Sequence, residues 1–208
     1  HRVDRRQRQM CIRDRYNEPN FFWNEIPYTG ETLFLRGYFQ SYKYFWDDIQ
    51  DIVIQFTKNV GEDFMKEEYE RISCGTKCVC VHVRRTDYLE FSEIHTNLTE
   101  SYYKQALERF PDYRVLVFSD DTESIRYWDV WKTREVHFVD EPDPLRTLWL
   151  MYYCDAFVIA NSSLSLNAYL FARGMRETPG VAPAQWFGPK GPKFKIEDLV
   201  PPGTECLF

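Results

Sequence analysis

The sequence predicts an α/β fold built on a parallel sheet, and three observations carry that prediction. Short β-rich apolar runs alternate with helical segments four times after residue 74, the pattern of βαβ units with right-handed crossovers. Polar clusters follow three of those apolar runs, as expected where strands end at a ligand-binding edge. Hydrophobic residues make up 44% of the 208 and aromatics 17%, which excludes a disordered chain and supplies side chains for a sizeable core.

The elements follow in order. The first fifteen residues, HRVDRRQRQMCIRDR, are basic and lack apolar periodicity, so 1–15 is expected to be a disordered or non-native tail. Phe45, Ile49, Ile52, Val53 and Phe56 recur at helical spacing and predict a helix over 42–58, with a more charged helix over 62–71. KCVCVHV at 77–83 reads as a strand, Thr99 to Phe110 as a helix capped by Thr99 or Asn97, and RVLVFS at 114–119 as the next strand. A helix over 122–131, a strand VHFV at 136–139 and a helix over 144–153 with Pro144 in its first turn come next. AFVIA at 156–160 is a strand, and 162–173 a helix stopped by Gly174. Beyond Thr178 the chain is rich in Pro and Gly and reads mostly as loop, with one short strand near 180. This division makes 74–208 one Rossmann-like domain and leaves 16–73 as helices that connect into it.

Composition narrows the function classes. A formal charge of −6 argues against a general nucleic-acid binder, which needs a basic surface; any anion site must be local. The six cysteines show no CxxC pairing and read mostly as small buried hydrophobes. No run of about 18 apolar residues suggests a membrane span. The four histidines are scattered and make no zinc set.

The polar clusters carry the chemistry. The strand at 77–83 runs into His82, Arg84, Arg85 and Asp87; that at 114–119 ends in Ser119, Asp120 and Asp121; that at 156–160 ends in Asn161, Ser162 and Ser163. SDD and NSS also read as ordinary helix caps, and His82 as a packed core histidine. Together they read as one pocket rim. Two adjacent guanidinium groups repel unless an anion or carboxylate sits between them, so one of Arg84 and Arg85 is expected to bind phosphate while the other pairs with Asp87. The helix start at Ser162 and Ser163 offers free N–H groups to the same anion. Period-two alternation places His82 on one sheet face with Cys80 and Arg84. The acidic pair Asp120, Asp121 and the run Asp140 to Asp143 also admit a metal-nucleotide reading, but capping and loop solvation account for them better, so no metal is expected.

The segments VHVRRTDY, VFSDD, LMYYCDAFVIANSSLS and, upstream, GYFQSYKYF resemble, in that order, those of alpha-1,2-fucosyltransferases, glycosyltransferase family 11, over about residues 33–190. The resemblance implies the C-terminal, nucleotide-sugar half of a GT-B fold. It implies GDP-fucose as donor substrate, with no other cofactor, and a glycan acceptor, a galactoside 2-OH being the expected target. Transfer would be inverting and metal-independent. In the family pattern His82, Arg84, Arg85 and Asp87 are the HxRRxD residues, with arginine on the GDP phosphates. Ser119, Asp120 and Asp121 match the segment after the central strand, and Asn161, Ser162 and Ser163 the phosphate-side turn. Arg85 and Asp87 are expected in catalysis, Asp87 as an orienter first and a base second, because an arginine partner lowers its pKa.

The chain also departs from the pattern. Thr86 stands where the family usually has glycine, Thr147 where an acidic residue is expected to read guanine, and Leu164, Leu166, Asn167 and Ala168 where an aromatic-rich run is usual. The GGLGNQ-type segment of such enzymes is absent, so 16–73 is expected to be the remnant of an N-terminal domain. An inactive nucleotide-sugar-binding remnant is the alternative reading. Membrane association in the Golgi is expected for a eukaryotic member and a cytoplasmic location for a bacterial one; Asn97-Leu98-Thr99 is a glycosylation sequon consistent with the former.

Overall fold

The computed structural model describes residues 15–27, 30, 32–60 and 62–208; most of the basic stretch 1–15 therefore lies outside the described residues. Its centre is a six-stranded, all-parallel sheet: β3 (Cys78–Val83), β4 (Arg114–Ser119), β5 (Val136–Phe138), β6 (Ala156–Val158), β7 (Gly180–Pro183) and β8 (Glu205–Leu207). The strands lie in the order β5-β4-β3-β6-β7-β8. The chain steps outward from β3 through β4 to β5, then returns to lay β6 on the other side of β3. The strand order thus reverses between β3 and β6, and such a reversal opens a crevice at the carboxyl ends of the strands. A separate parallel pair, β1 (Arg15–Asn17) and β2 (Phe34–Arg36), lies upstream.

Alternation along the strands divides the core. Cys78, Cys80, Leu116, Phe118, Phe157 and Ile159 face one side. They pack with α1 (Ile49–Val60), α2 (Glu62–Ser73), α6 (Pro144–Tyr153) and α7 (Ser163–Arg176). Val79, Val81, Val83, Val115 and Val117 face the other side, against α4 (Glu100–Leu107) and the 3-10 turn Asp129–Trp131. Cys78 and Cys80 are fully buried, as is Cys154, in keeping with cysteines acting as small hydrophobes; Cys74 is exposed. Tyr42, Ile49, Val53, Met65 and Ile72 join the first core, so residues 42–73 pack onto the sheet.

Several element limits differ from the sequence expectation. The helix expected over 42–58 begins as a 3-10 turn, Tyr42–Tyr44, and only Ile49–Val60 is α-helical. The turn is held by distant groups: the Ser41 hydroxyl donates to the Asp198 carbonyl at 2.5 Å and Lys43 Nζ lies 2.6 Å from the Asp198 carboxylate. The helix expected over 122–131 shortens to α5 (Thr122–Ile125) followed by the turn Asp129–Trp131. There the Ile125 carbonyl accepts from the Trp128 N–H at 3.0 Å, a tighter i+3 bond, and from the Trp131 indole at 2.7 Å. Helix α7 is not stopped by Gly174: it runs to Arg176 and ends at Glu177 in the left-handed region, φ 53°. Short helices α3 (Thr86–Glu90) and α8 (Ile196–Leu199) and strand β8 had no clear sequence signal.

The membrane association expected above is corrected here. Among the described residues no helix is long and apolar enough to cross a membrane. The 14 residues of α7 fall short of the roughly 20 that a span requires.

Candidate active site

The three polar clusters converge at the carboxyl edge of the sheet. His82, Arg84, Ser119 and Asp120 line a cavity of about 320 Å³, together with Asp140, Glu141, Thr147 and, from the first turn of α7, Leu164. His82 and Arg84 share this wall because alternate residues of β3 point the same way. Arg85 points elsewhere: its guanidinium lies 5.5 Å from the Trp128 ring centroid, and its Nε is 3.7 Å from Asp121, an ion-pair distance without a hydrogen bond.

Arg84 is held from two sides. Its guanidinium pairs with Asp87 at 2.8 Å and with Asp120 at 3.2 Å, and stands over Tyr88 at 5.5 Å. Asp120 also accepts from the Arg85 backbone N–H at 2.9 Å and from the Thr86 hydroxyl. Thr86, the departure from glycine, thereby gains a hydroxyl that glycine lacks and ties the Arg84–Arg85 turn to the end of β4. Asp121 caps α5 by accepting from the Ser124 N–H at 3.3 Å; its bonds to Ser124 hold its carboxyl below the usual range. Ser119 accepts from the Asp121 N–H. Burial pushes the Asp87 carboxyl upward, but its hydrogen bond and attraction to Arg84 outweigh that and leave it lowered.

His82 is buried, and its Nδ1 lies 2.9 Å from the Ser165 hydroxyl. This bond joins β3 to the first turn of α7 across the strand reversal. Desolvation lowers the imidazole pKa to about 4, against a raising contribution from Asp120, so the ring is neutral near pH 7. Ser162 is the N-cap of α7 yet makes no side-chain capping bond, which leaves the first-turn N–H groups without that partner.

Asn161 serves the scaffold. Its amide donates to the Thr96 and Trp186 carbonyls at 2.9 and 2.8 Å, and its own carbonyl accepts from the Tyr88 hydroxyl at 2.9 Å. Ser163 is exposed and borders a second cavity of about 730 Å³ on the other side of the α7 start. Asp143 caps α6, accepting from the Leu145 and Arg146 N–H groups, while the Thr147 hydroxyl donates to the carbonyls of Glu141 and Asp143. Glu141, lining the first cavity and paired with Arg146 at 3.3 Å, stood out in the sequence only as part of an acidic run.

The chain is 33% identical over 163 residues to an alpha-1,2-colitosyltransferase of Escherichia coli, an alignment covering 73% of this chain and 55% of that protein. The chain spans about half the length of the curated relatives it matches. Among solved structures, POFUT1 in complex with GDP aligns with 57% of this chain and 45% of that chain, at TM-score 0.44 and 17% identity. KpsC of Thermosulfurimonas dismutans, a beta Kdo 2,7 transferase, aligns with 77% and 51%, at TM-score 0.38 and 12% identity. The profile of Glycosyl transferase family 11 matches residues 14–190, and the chain belongs to that family.

Proposed function

We propose that this chain is the nucleotide-sugar half of a GT-B glycosyltransferase that moves fucose from GDP-fucose to a glycan hydroxyl, with inversion and without a metal. The observation that carries the reading is Arg84, fixed by Asp87 and Asp120 on the wall of the strand-end cavity, with the start of α7 contributing Leu164 to the same wall. As the bond from sugar to phosphate breaks, negative charge grows on the β-phosphate oxygen. A guanidinium already held in place, together with helix N-terminal N–H groups, stabilises that charge without reorganising. Arg84 is the phosphate ligand in this reading; Arg85, packed on Trp128, shapes the turn and adds positive potential. Asp87 orients Arg84 and makes a poor base, since its lowered pKa weakens it as a proton acceptor.

Calorimetry of GDP binding tests the site. Arg84→Ala should weaken GDP by about 1.5 kcal/mol or more, the scale of a hydrogen bond to a charged group, and Arg85→Ala by less. Unchanged affinity in Arg84→Ala would sink the assignment. The relative named for colitosyl transfer makes a colitosyl donor the second nucleotide sugar to try. Release of GDP from GDP-fucose on adding a galactoside separates an active transferase from a binding remnant, which binds the nucleotide and never turns over.

A further inference from the structure

Helix α3 has little to hold it. Of its five residues, Thr86 to Glu90, only Tyr88 is not exposed, and none is buried in either core. Yet α3 carries Asp87, one of the two carboxylates that fix Arg84. A few contacts must therefore set its place. The Thr86 hydroxyl supplies one, to Asp120, and Tyr88 supplies three.

The Tyr88 ring stands 5.5 Å from the Arg84 guanidinium, within the roughly 6 Å of a cation–π contact. It stacks on His95 at 4.1 Å with the planes 10° apart, and His95 is fixed in turn by a backbone bridge to Phe187. The hydroxyl donates to the Asn161 carbonyl at 2.9 Å. Asn161 directly precedes Ser162, the N-cap of α7, and its own amide is tied to the Thr96 and Trp186 carbonyls. Burial raises the phenol pKa, so the hydroxyl keeps its proton and its donor role near pH 7.

These contacts join two groups that must act on one anion. A guanidinium and a helix N-terminus cooperate on a diphosphate only while their separation matches that of its oxygens, and a misplacement of about 1 Å in such a constellation costs up to about a hundredfold in rate. Asp87 and Asp120 hold the guanidinium at Nη2 and Nη1, and His82 ties β3 to Ser165. Tyr88 touches both the arginine and the residue before the helix cap. We propose that Tyr88 is a positioning residue of the diphosphate site, setting the distance between the Arg84 guanidinium and the first turn of α7. The inference rests on the proposed function, which makes Arg84 the phosphate ligand.

The test is calorimetry of GDP binding to the full chain in two Tyr88 variants, each made with and without Arg84→Ala. Tyr88→Phe keeps the ring and loses the hydroxyl bond; Tyr88→Leu loses both. With Arg84 present, affinity is expected to fall about threefold in Tyr88→Phe and about tenfold in Tyr88→Leu, the scale of one hydrogen bond and of that bond plus a cation–π contact. In the Arg84→Ala background neither change should exceed about twofold, because a residue that acts through the arginine has nothing left to position. Guanosine, which lacks phosphate, should bind both Tyr88 variants within about twofold of wild type by NMR titration, which shows that they fold and decides the matter where Arg84→Ala binds GDP too weakly to measure. Wild-type GDP affinity in Tyr88→Leu, the same loss with and without Arg84, or an equal loss for GDP and guanosine would each overturn the inference and leave the donor site standing. Unchanged GDP affinity in Arg84→Ala would overturn the donor-site reading and this inference with it.

Discussion

His82 shows how a single side chain links fold and site. Its imidazole is buried at the end of β3 and bonded to Ser165, and desolvation holds its pKa near 4. An unfolded histidine titrates near 6.5, so between about pH 6.5 and 4 the unfolded chain binds a proton that the folded chain refuses. Stability therefore falls as pH drops through that window and is unaffected by this group above it. The full effect is about 3 kcal/mol, from about 1.36 kcal/mol per pKa unit. Urea midpoints measured across this window should fall steeply for the wild type and less so for His82→Asn, which retains a polar partner for Ser165. Parallel profiles for the two proteins would contradict the assignment. The His82 bond to Ser165 ties the end of β3 to the first turn of α7.

Among the elements, Gly174 gained a new explanation. At the end of an apolar stretch it reads as a helix stop, yet it lies inside α7 where that helix meets α1. A Cβ built there would come 2.7 and 2.8 Å from the Ile49 side-chain carbons. Its missing side chain is a requirement of close helix packing, because fully buried Ile49 cannot move into solvent to make room. Gly174→Ala is expected to destabilise by about 1–3 kcal/mol, the usual cost of overpacking. Adding Ile49→Val should recover part of that loss, and a double-mutant cycle on chemical denaturation measures the coupling. Additive effects would show that the two residues do not share a contact. The helices that were easiest to foresee had local signals: Pro144–Tyr153 starts on a proline with Asp143 as cap, and both lie within one turn of sequence. The 3-10 turn at Tyr42–Tyr44 had none, since its partner Asp198 is 157 positions from Ser41.

For the whole molecule, strand order places the chemistry. The reversal between β3 and β6 brings His82 and Arg84 to Ser165 and the α7 start, and β4 on the other side of β3 brings Asp120 to Arg84. Of the acidic residues that suggested a metal site, Asp120 is engaged by Arg84, Asp121 by Ser124 and Arg85, Glu141 by Arg146, and Asp143 caps α6. In the proposed reading, positive charge for a diphosphate comes from the guanidinium and the helix end. GDP affinity is therefore expected to be the same in EDTA as in millimolar magnesium or manganese. A loss of binding in EDTA, restored by the metal, would overturn the metal-independent reading.

The sequence by itself determined the parallel α/β class, the strand-end positions of His82, Arg84, Ser119 and Asp120 that line the cavity, and the shared face of His82 and Arg84. Each of these is written in neighbours: a two-residue period along strands, caps beside helices, polar groups directly after apolar runs. Only the tertiary structure decided which arginine faces the cavity, because Trp128, 43 positions on, gives Arg85 a surface to pack against. It alone showed that Asn161 is a strut between the loops at Thr96 and Trp186, and that aromatic residues from the upstream segment line a second cavity beside α7. Those outcomes depend on shape and on contacts between segments far apart in the chain, which no local pattern encodes.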